Sequence, residues 1–218
     1  ELPAAVAFEP AGTIKSVLEQ AAGLRITEDN PANDIRSLQH LLLYGLKGMA
    51  AYADHAAILG TEDDAVYGFF HEALAALAEN HGDADDLLAL AMRCGEINIR
   101  TMELLDTAHN AHYGHPEPTR VSTGRRAGPA IVVSGHDMHD LHQLLEQTKG
   151  TGVNIYTHGE MLPAHGYPGL KKYPHLAGHF GTAWQNQQKE FDGVPAAFLF
   201  TTNCIQKPRA SYRENVFT

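Results

Sequence analysis

The run PAIVVSGHDMHDLHQLLEQTKGTGVNIYTHG, Pro129 to Gly159, changes the periodicity of the chain and decides how its second half folds. Pro129-Ala130-Ile131-Val132-Val133-Ser134-Gly135 is a short continuous apolar run rich in β-branched residues, the pattern of a strand buried on both faces. Met138, Leu141 and Leu145 then fall on one side of a helix that Lys149-Gly150 ends, and Val153-Asn154-Ile155-Tyr156 reads as a second strand. Strand, helix and strand with short joints form a βαβ unit, whose strands are parallel. Ala196-Ala197-Phe198-Leu199-Phe200 repeats the strand signal after a helix expected over Ala183 to Phe191. The expected architecture of this half is an open, mostly parallel, Rossmann-like α/β domain, incomplete within this sequence.

Parallel strands release their C-terminal ends along one edge of a sheet, where binding crevices form. Three donor side chains follow those ends: His136 after IVVSG, Glu160 after NIYTHG and Cys204 after FLFTTN. Each has a plain alternative, His136 as a helix cap, Glu160 as a carboxylate in water and Cys204 as an inert thiol. Jointly they offer a soft sulfur, a hard oxygen and an intermediate imidazole, a mixture suited to an iron centre with unequal environments. Structural zinc sites take closely paired ligands instead. His158, Glu160 and His165 also invite a zinc-hydrolase reading. Their H-x-E-x4-H spacing differs from the H-E-x-x-H of helical zinc proteases, and a loop would fix no geometry for them.

Upstream the chain reads as helices. From Asp34 to Leu59 the positions Ile35, Leu38, Leu42, Leu46, Met49, Ala53 and Ala56 recur at steps of three and four. Thr61 with Asp64 resembles a capping box for a second helix that carries Val66, Phe69, Phe70, Leu74 and Leu77 inward and stops at Gly82. Asp83 is placed to cap a third, with Leu87, Leu90, Cys94 and Ile97 on one face and Met102 and Leu105 continuing it. A weaker helix is expected over 12–22. Residues 1–113 are therefore expected to be a helical bundle domain and 114–218 the α/β domain. Cys94 has leucine and isoleucine at helical spacing and reads as a packing residue. His40, His55, His71 and His81 lack partners at ligand spacing and read as surface or packing groups.

A length of 218 residues, 44% apolar and 19% charged, suffices for a sizeable core. The net charge of −10, with sixteen scattered Lys and Arg, argues against a nucleic-acid or anionic-membrane surface. Two cysteines cannot form a multi-bridge framework, and neither a membrane span nor a signal peptide is legible, so a cytoplasmic setting is expected. The opening on Glu1 and the apolar ending Val216-Phe217-Thr218 lead us to expect a piece of something longer.

The segments LLLYGLKGMAAYADHA, YGHPEPT, SGHDMHDLHQLLEQTKGTGVNIYTHGEMLPAHGYP, AWQNQQKEF and TTNCI resemble the hybrid-cluster protein family, also called prismane proteins or hydroxylamine reductases. The resemblance implies a four-iron hybrid iron-sulfur-oxygen cluster held by one histidine, two glutamates and four cysteines. By motif, the histidine of S-G-H-D is His136, the first glutamate, of T-H-G-E, is Glu160, and the first cysteine, of N-C-I, is Cys204. It further implies reduction of hydroxylamine and nitric oxide, for which Glu160 is expected as a movable carboxylate gate, and His158 and His165, from their residue type and proximity, as orienting groups or proton carriers. The electron donor it implies is an NADH-dependent flavin and iron-sulfur reductase. The family's N-terminal cysteine motif for a second iron-sulfur cluster, its later cysteines and its second glutamate have no counterpart here. The expectation is thus an internal fragment, inactive without the remainder of its own chain. A metal-free structural or binding module and a zinc hydrolase are the competing readings.

Overall fold

A computed structural model describes residues 9–23, 33–79 and 82–218. Four helices come first: α1 (Ile14–Gly23), α2 (Asn33–Ile58), α3 (Asp64–Ala78) and α4 (Ala84–Tyr113). The expected stripe of α2 is buried at Leu42, Leu46, Met49, Ala53 and Ala56. Asp83 caps α4 as expected, its carboxylate accepting from the backbone N–H of Asp85 and Asp86 at 2.9 and 3.1 Å. The cap of α3 differs from the expected one. Asp63 takes the N–H of Ala65 at 2.8 Å, so the carboxylate nearer the helix displaces Thr61 from the role. Leu74, expected inside, is 48% exposed, because the buried face of α3 runs through Val66, Phe69 and Ala73. His81 lies outside the described residues.

The chain divides into two compact units, Glu1–Gly48 with Tyr67–Ile97, and Met49–Val66 with Asn98–Thr218. In the first unit Cys94 is 5% exposed, and a Cβ at Gly45 would stand only 2.9 Å from its sulfur. The missing side chain at Gly45 is what lets the thiol pack there, and burial pushes that thiol's pKa up. Cys94→Ala is expected to cost about 1 kcal/mol of stability and to leave any metal content of the intact protein unchanged, as thermal melts and metal analysis would check.

The second unit holds a five-stranded, wholly parallel sheet. Its strands are β1 (Ala130–Ser134), β2 (Asn154–His158), β3 (Leu176–His179), β4 (Ala197–Phe200) and β5 (Val216–Phe217), in the order β3-β2-β1-β4-β5. α5 (Met138–Thr148) connects β1 to β2, with Asp137 as its cap, the carboxylate accepting from the N–H of His139 and Asp140. Side-chain alternation sorts the strands onto two cores. Val133 and Ile155 pack with Met138, Leu141 and Leu145 on one face, and Val132, Tyr156 and Phe198 pack with Phe191 and Tyr212 on the other. Phe191 stacks on Phe198 with centroids 4.2 Å apart. Burial is why β1 and β4 read as apolar runs, whereas β2, Asn-Ile-Tyr-Thr-His, is buried throughout and keeps its polar side chains in hydrogen bonds.

Two strands were not legible in the sequence. β3 is Leu-Ala-Gly-His, too short and too small in side chain to carry a strand signal, and the pair Val216-Phe217 is shorter still. The helix expected over Ala183 to Phe191 is reduced to a 3-10 turn, Trp184–Asn186, followed by a single α turn, Gln187–Glu190. The stretch after β2, expected to be loop, winds into a 3-10 helix, Gly159–Gly166, that ends against the α turn Pro168–Lys171.

Candidate functional site

In the parallel pairings Ser134 lies beside both His158 and Phe200, so β1, β2 and β4 end on one rung. The chain leaves β1 toward β2 and β3 on one side, while β4 and β5 lie on the other, which makes the β1/β4 boundary a topological switch point. His136 stands two residues beyond the rung, Glu160 two beyond it and Cys204 four beyond it. One ligand atom from each of the three lies within 4.8 Å of the other two. Cys204 Sγ is 3.4 Å from His136 Nε2 and 3.3 Å from Glu160 Oε2, and His136 Nε2 meets the same Oε2 closely.

Close approach of the β1 and β4 ends depends on Gly135. Its φ is +124°, and a Cβ there would run into the hydroxyls of Thr201 and Thr202. Thr202 then fixes the histidine: its Oγ1 lies 3.0 Å from the backbone N–H of His136 and 2.7 Å from Nδ1. The tautomer with its proton on Nδ1 donates to Thr202 and turns the Nε2 lone pair toward the carboxylate and the sulfur. The Cys204 loop is braced by Gln187, 1% exposed, which donates to the Cys204 carbonyl and accepts from the N–H of Gln206 at 2.9 Å. Neither Thr202 nor Gln187 is a ligand type, so residue chemistry alone did not single them out; both lie in the segments TTNCI and AWQNQQKEF.

Where a proton on Nε2 and not a cation bridges them, hydrogen bonds from His136 and then Cys204 hold the Glu160 carboxyl below its usual range. The Cys204 thiol is pushed up to about 11, by burial first and then by the facing carboxylate. A nitrogen lone pair, a carboxylate and a sulfur directed at one point repel one another unless a proton or a cation sits among them. The spacings of 3.3–3.4 Å from the Cys204 sulfur to the other two donors suit metal–ligand bonds of about 2.0–2.3 Å, and the closer pair, His136 and Glu160, would part to admit a metal. The three residues therefore fit as donors to a metal, with the thiol losing its proton on binding.

The other two candidates face elsewhere. His158 is fully buried, with Nδ1 3.1 Å from Ser134 Oγ and Nε2 3.3 Å from Glu190 Oε2. Burial lowers its pKa against the opposing pull of Glu190. His165 Nε2 lies 2.8 Å from Thr157 Oγ1, and burial pushes this histidine down to about 4. Glu160, with a side chain 59% exposed, shares no partner with either. The zinc site considered from His158, Glu160 and His165 is thus not assembled; His136, Glu160 and Cys204 are the three brought together.

The family model for the Prismane/CO dehydrogenase family matches residues 1–218. The chain is 59% identical over 216 residues to a hydroxylamine reductase of Syntrophobacter fumaroxidans, covering 98% of this chain and 40% of that protein. It is 64% identical over 186 residues to a hydroxylamine reductase of Solidesulfovibrio magneticus, covering 85% and 35%. A third relative of that name, from Methanocella arvoryzae, is 55% identical over 213 residues, covering 97% and 39%. The chain spans about two fifths of the length of these curated relatives. Joined to a parallel sheet whose switch point gathers imidazole, carboxylate and thiol, these matches place the chain in the Prismane/CO dehydrogenase family.

Proposed function

We propose that this chain is an internal part of a hydroxylamine reductase of the hybrid-cluster type, with His136, Glu160 and Cys204 as three of the protein ligands of its iron-sulfur-oxygen cluster. The observation that carries the reading is the meeting of three unlike donors within 4.8 Å at the switch point of the sheet. Family membership supports the iron-sulfur chemistry, and the printed names of the relatives support hydroxylamine as substrate. When bound, such a cluster supplies electrons and an open coordination position for a small nitrogen oxide, hydroxylamine or nitric oxide.

This chain's residues do the rest by position. Thr202 holds the His136 ring so that Nε2 faces the metal. Gln187 holds the backbone that presents Cys204. Glu160 lies in the first turn of the 3-10 helix with its side chain in solvent, and a carboxylate tied, among the described residues, to the other two donors alone is free to swing aside, which is the gate we assign to it. His158 and His165 brace the two ends of that helix. Both are neutral at neutral pH, so each offers one N–H and no stored proton. Their role in the proposal is orientation of the helix that carries Glu160.

Residues 1–113 would belong to the helical domain of the intact parent and 114–218 would begin its cluster-binding α/β domain. With one thiol at the site the chain is inactive alone and needs the remainder of its own chain, where a second iron-sulfur cluster is expected. Electrons would come from an NADH-dependent flavin and iron-sulfur reductase, in the cytoplasm. Among the described residues no helix is long and apolar enough to cross a membrane. The test is metal and acid-labile sulfide analysis of the intact protein beside a hydroxylamine-to-ammonia assay. Iron with sulfide and turnover is the expected result. Zinc alone would favour a hydrolase, and no metal a structural module; either would end this reading.

A further inference from the structure

Two of the three metal donors stand just beyond a glycine at the end of a strand. β1 runs out as Ser134-Gly135-His136 and β2 as His158-Gly159-Glu160, and both glycines have positive φ, +124° and +58°. Glycine restricts the direction of the following backbone less than any other residue. The last well-fixed point before each donor is therefore the final rung of the β1–β2 ladder, where Ser134 pairs with His158. The side chains of that rung are joined too. Ser134 Oγ lies 3.1 Å from Nδ1 of His158, and both residues are buried.

The far side of the imidazole is held from a third part of the chain. Its Nε2 lies 3.3 Å from Oε2 of Glu190, which stands in the single α turn after β3. Thr182 fixes that carboxylate, its backbone N–H donating to Oε2 at 3.1 Å and its hydroxyl to Oε1 at 2.6 Å. Asn186 donates in turn to the Thr182 hydroxyl at 2.8 Å. Gly181 makes the approach possible: its φ is +71°, and a Cβ there would stand 2.6 Å from Glu190 Oε2 and 2.9 Å from His158 Cδ2. Phe191 completes the packing, edge to face with the imidazole at 4.8 Å.

An ionised carboxylate is an acceptor only, so Nε2 of His158 carries a proton whatever the state of Nδ1. In the neutral ring the one N–H is thereby spent, and the Nδ1 lone pair takes the proton of the Ser134 hydroxyl. Both bonds of the series Ser134–His158–Glu190 then point the same way, from the rung toward the carboxylate. With both nitrogens engaged, the ring is held in position and orientation.

We propose that Glu190 is a positioning residue for the metal site: by holding the ring of His158 and the proton on its Nε2, it secures the Ser134–His158 rung from which His136 and Glu160 both spring. The inference rests on the reading of those two residues as metal donors. Carboxylate–histidine pairs behind metal sites commonly orient a ligand directly. Here the imidazole orients the strand ends that carry two ligands.

The test uses cobalt(II), which reports on the three donors without needing a cluster. In the metal-free 218-residue chain labelled with ¹⁵N-histidine, NMR is expected to show the His158 proton on Nε2. Cobalt(II) titrated into the same chain should give a thiolate-to-cobalt absorption. Glu190→Leu, which fills the space without an acceptor, is expected to weaken that binding by about tenfold and to let part of the His158 proton appear on Nδ1. Glu190→Gln, of similar size but with an oxygen to face Nε2, should restore the tautomer and most of the affinity, a recovery that separates the acceptor from mere packing. Ser134→Ala cuts the series at its other end. It should weaken cobalt binding while the proton stays on Nε2, and it keeps the test decisive if Glu190→Leu fails to fold. A His158 proton on Nδ1 in the unsubstituted chain, or cobalt affinity unchanged in either Ser134→Ala or Glu190→Leu, would overturn the proposal and leave the three donors standing. No cobalt absorption from the unsubstituted chain would end the metal reading and this inference together. Cobalt binding that behaves as expected, with no hydroxylamine turnover by the intact protein, would count against the proposed function alone.

Discussion

Glu160→Gln in the intact protein is expected to lower hydroxylamine reduction by about 100-fold, some 2.7 kcal/mol of barrier, while shifting the thermal midpoint by only about 2–4 °C. The carboxamide keeps the shape of the side chain and removes its negative charge and one oxygen donor. Little else is disturbed, because the side chain is 59% exposed and its partners are the two other donors, His136 and Cys204. The 3-10 helix behind it is held by buried Met161, Ala164 and His165, none of which the substitution touches. Ammonia formation from hydroxylamine, iron content and a melting curve together check the prediction. Unchanged turnover would remove Glu160 from the site, and a large drop in the midpoint would reassign it to folding.

Acid is expected to cost the second unit up to about 3 kcal/mol of stability through His165 alone. The folded pKa is about 4 against an ordinary 6.5. A histidine depressed in the folded state favours folding fully above its ordinary value, and the contribution is lost as pH falls from 6.5 toward 4. The cause is burial, reinforced by neighbouring His179, with the Gly178 carbonyl pulling weakly the other way. His158 and His179 are lowered as well and add slope of the same sign. Urea midpoints of the 218-residue chain, measured across that window, carry the sum. The His165→Gln variant, whatever its absolute stability, should lack the share belonging to His165. Parallel pH profiles for the two proteins would refute the assignment.

Strands β1 and β4 were legible as short apolar runs, β2 through Ile155-Tyr156 at its centre, and the helices because their burial repeats every three to four residues. The meeting of His136, Glu160 and Cys204 was legible for a topological reason: parallel strands finish on one edge, so the three approach one another although no local motif joins them. β3 and β5 escaped because so few residues carry no period, and their placement depends on neighbours that only the folded sheet provides. Leu74 shows the limit of helical spacing, since an apolar residue at the rim of a stripe is placed by its neighbours and not by its own chemistry. The supports escaped for another reason. Thr202, Gln187 and Thr157 act through common polar groups whose importance lies in where a hydroxyl or amide points, and composition says nothing of direction. His158 and His165 stand close to Glu160 in the sequence, yet their rings are turned into the protein, toward Ser134 and Thr157.

Residues 119–123 run along the open side of β3, with the Ser122 carbonyl lying where a Cβ at Gly178 would stand. In a sheet, the outermost strand offers unsatisfied backbone groups on which another molecule can build. At β3 the outward N–H of His179 is already taken by Ser122, and the glycine beside it lets that foreign backbone lie flush against the strand. A passing segment of chain, and not a charged or proline-bearing margin, is thus what denies this flank to strand exchange between molecules.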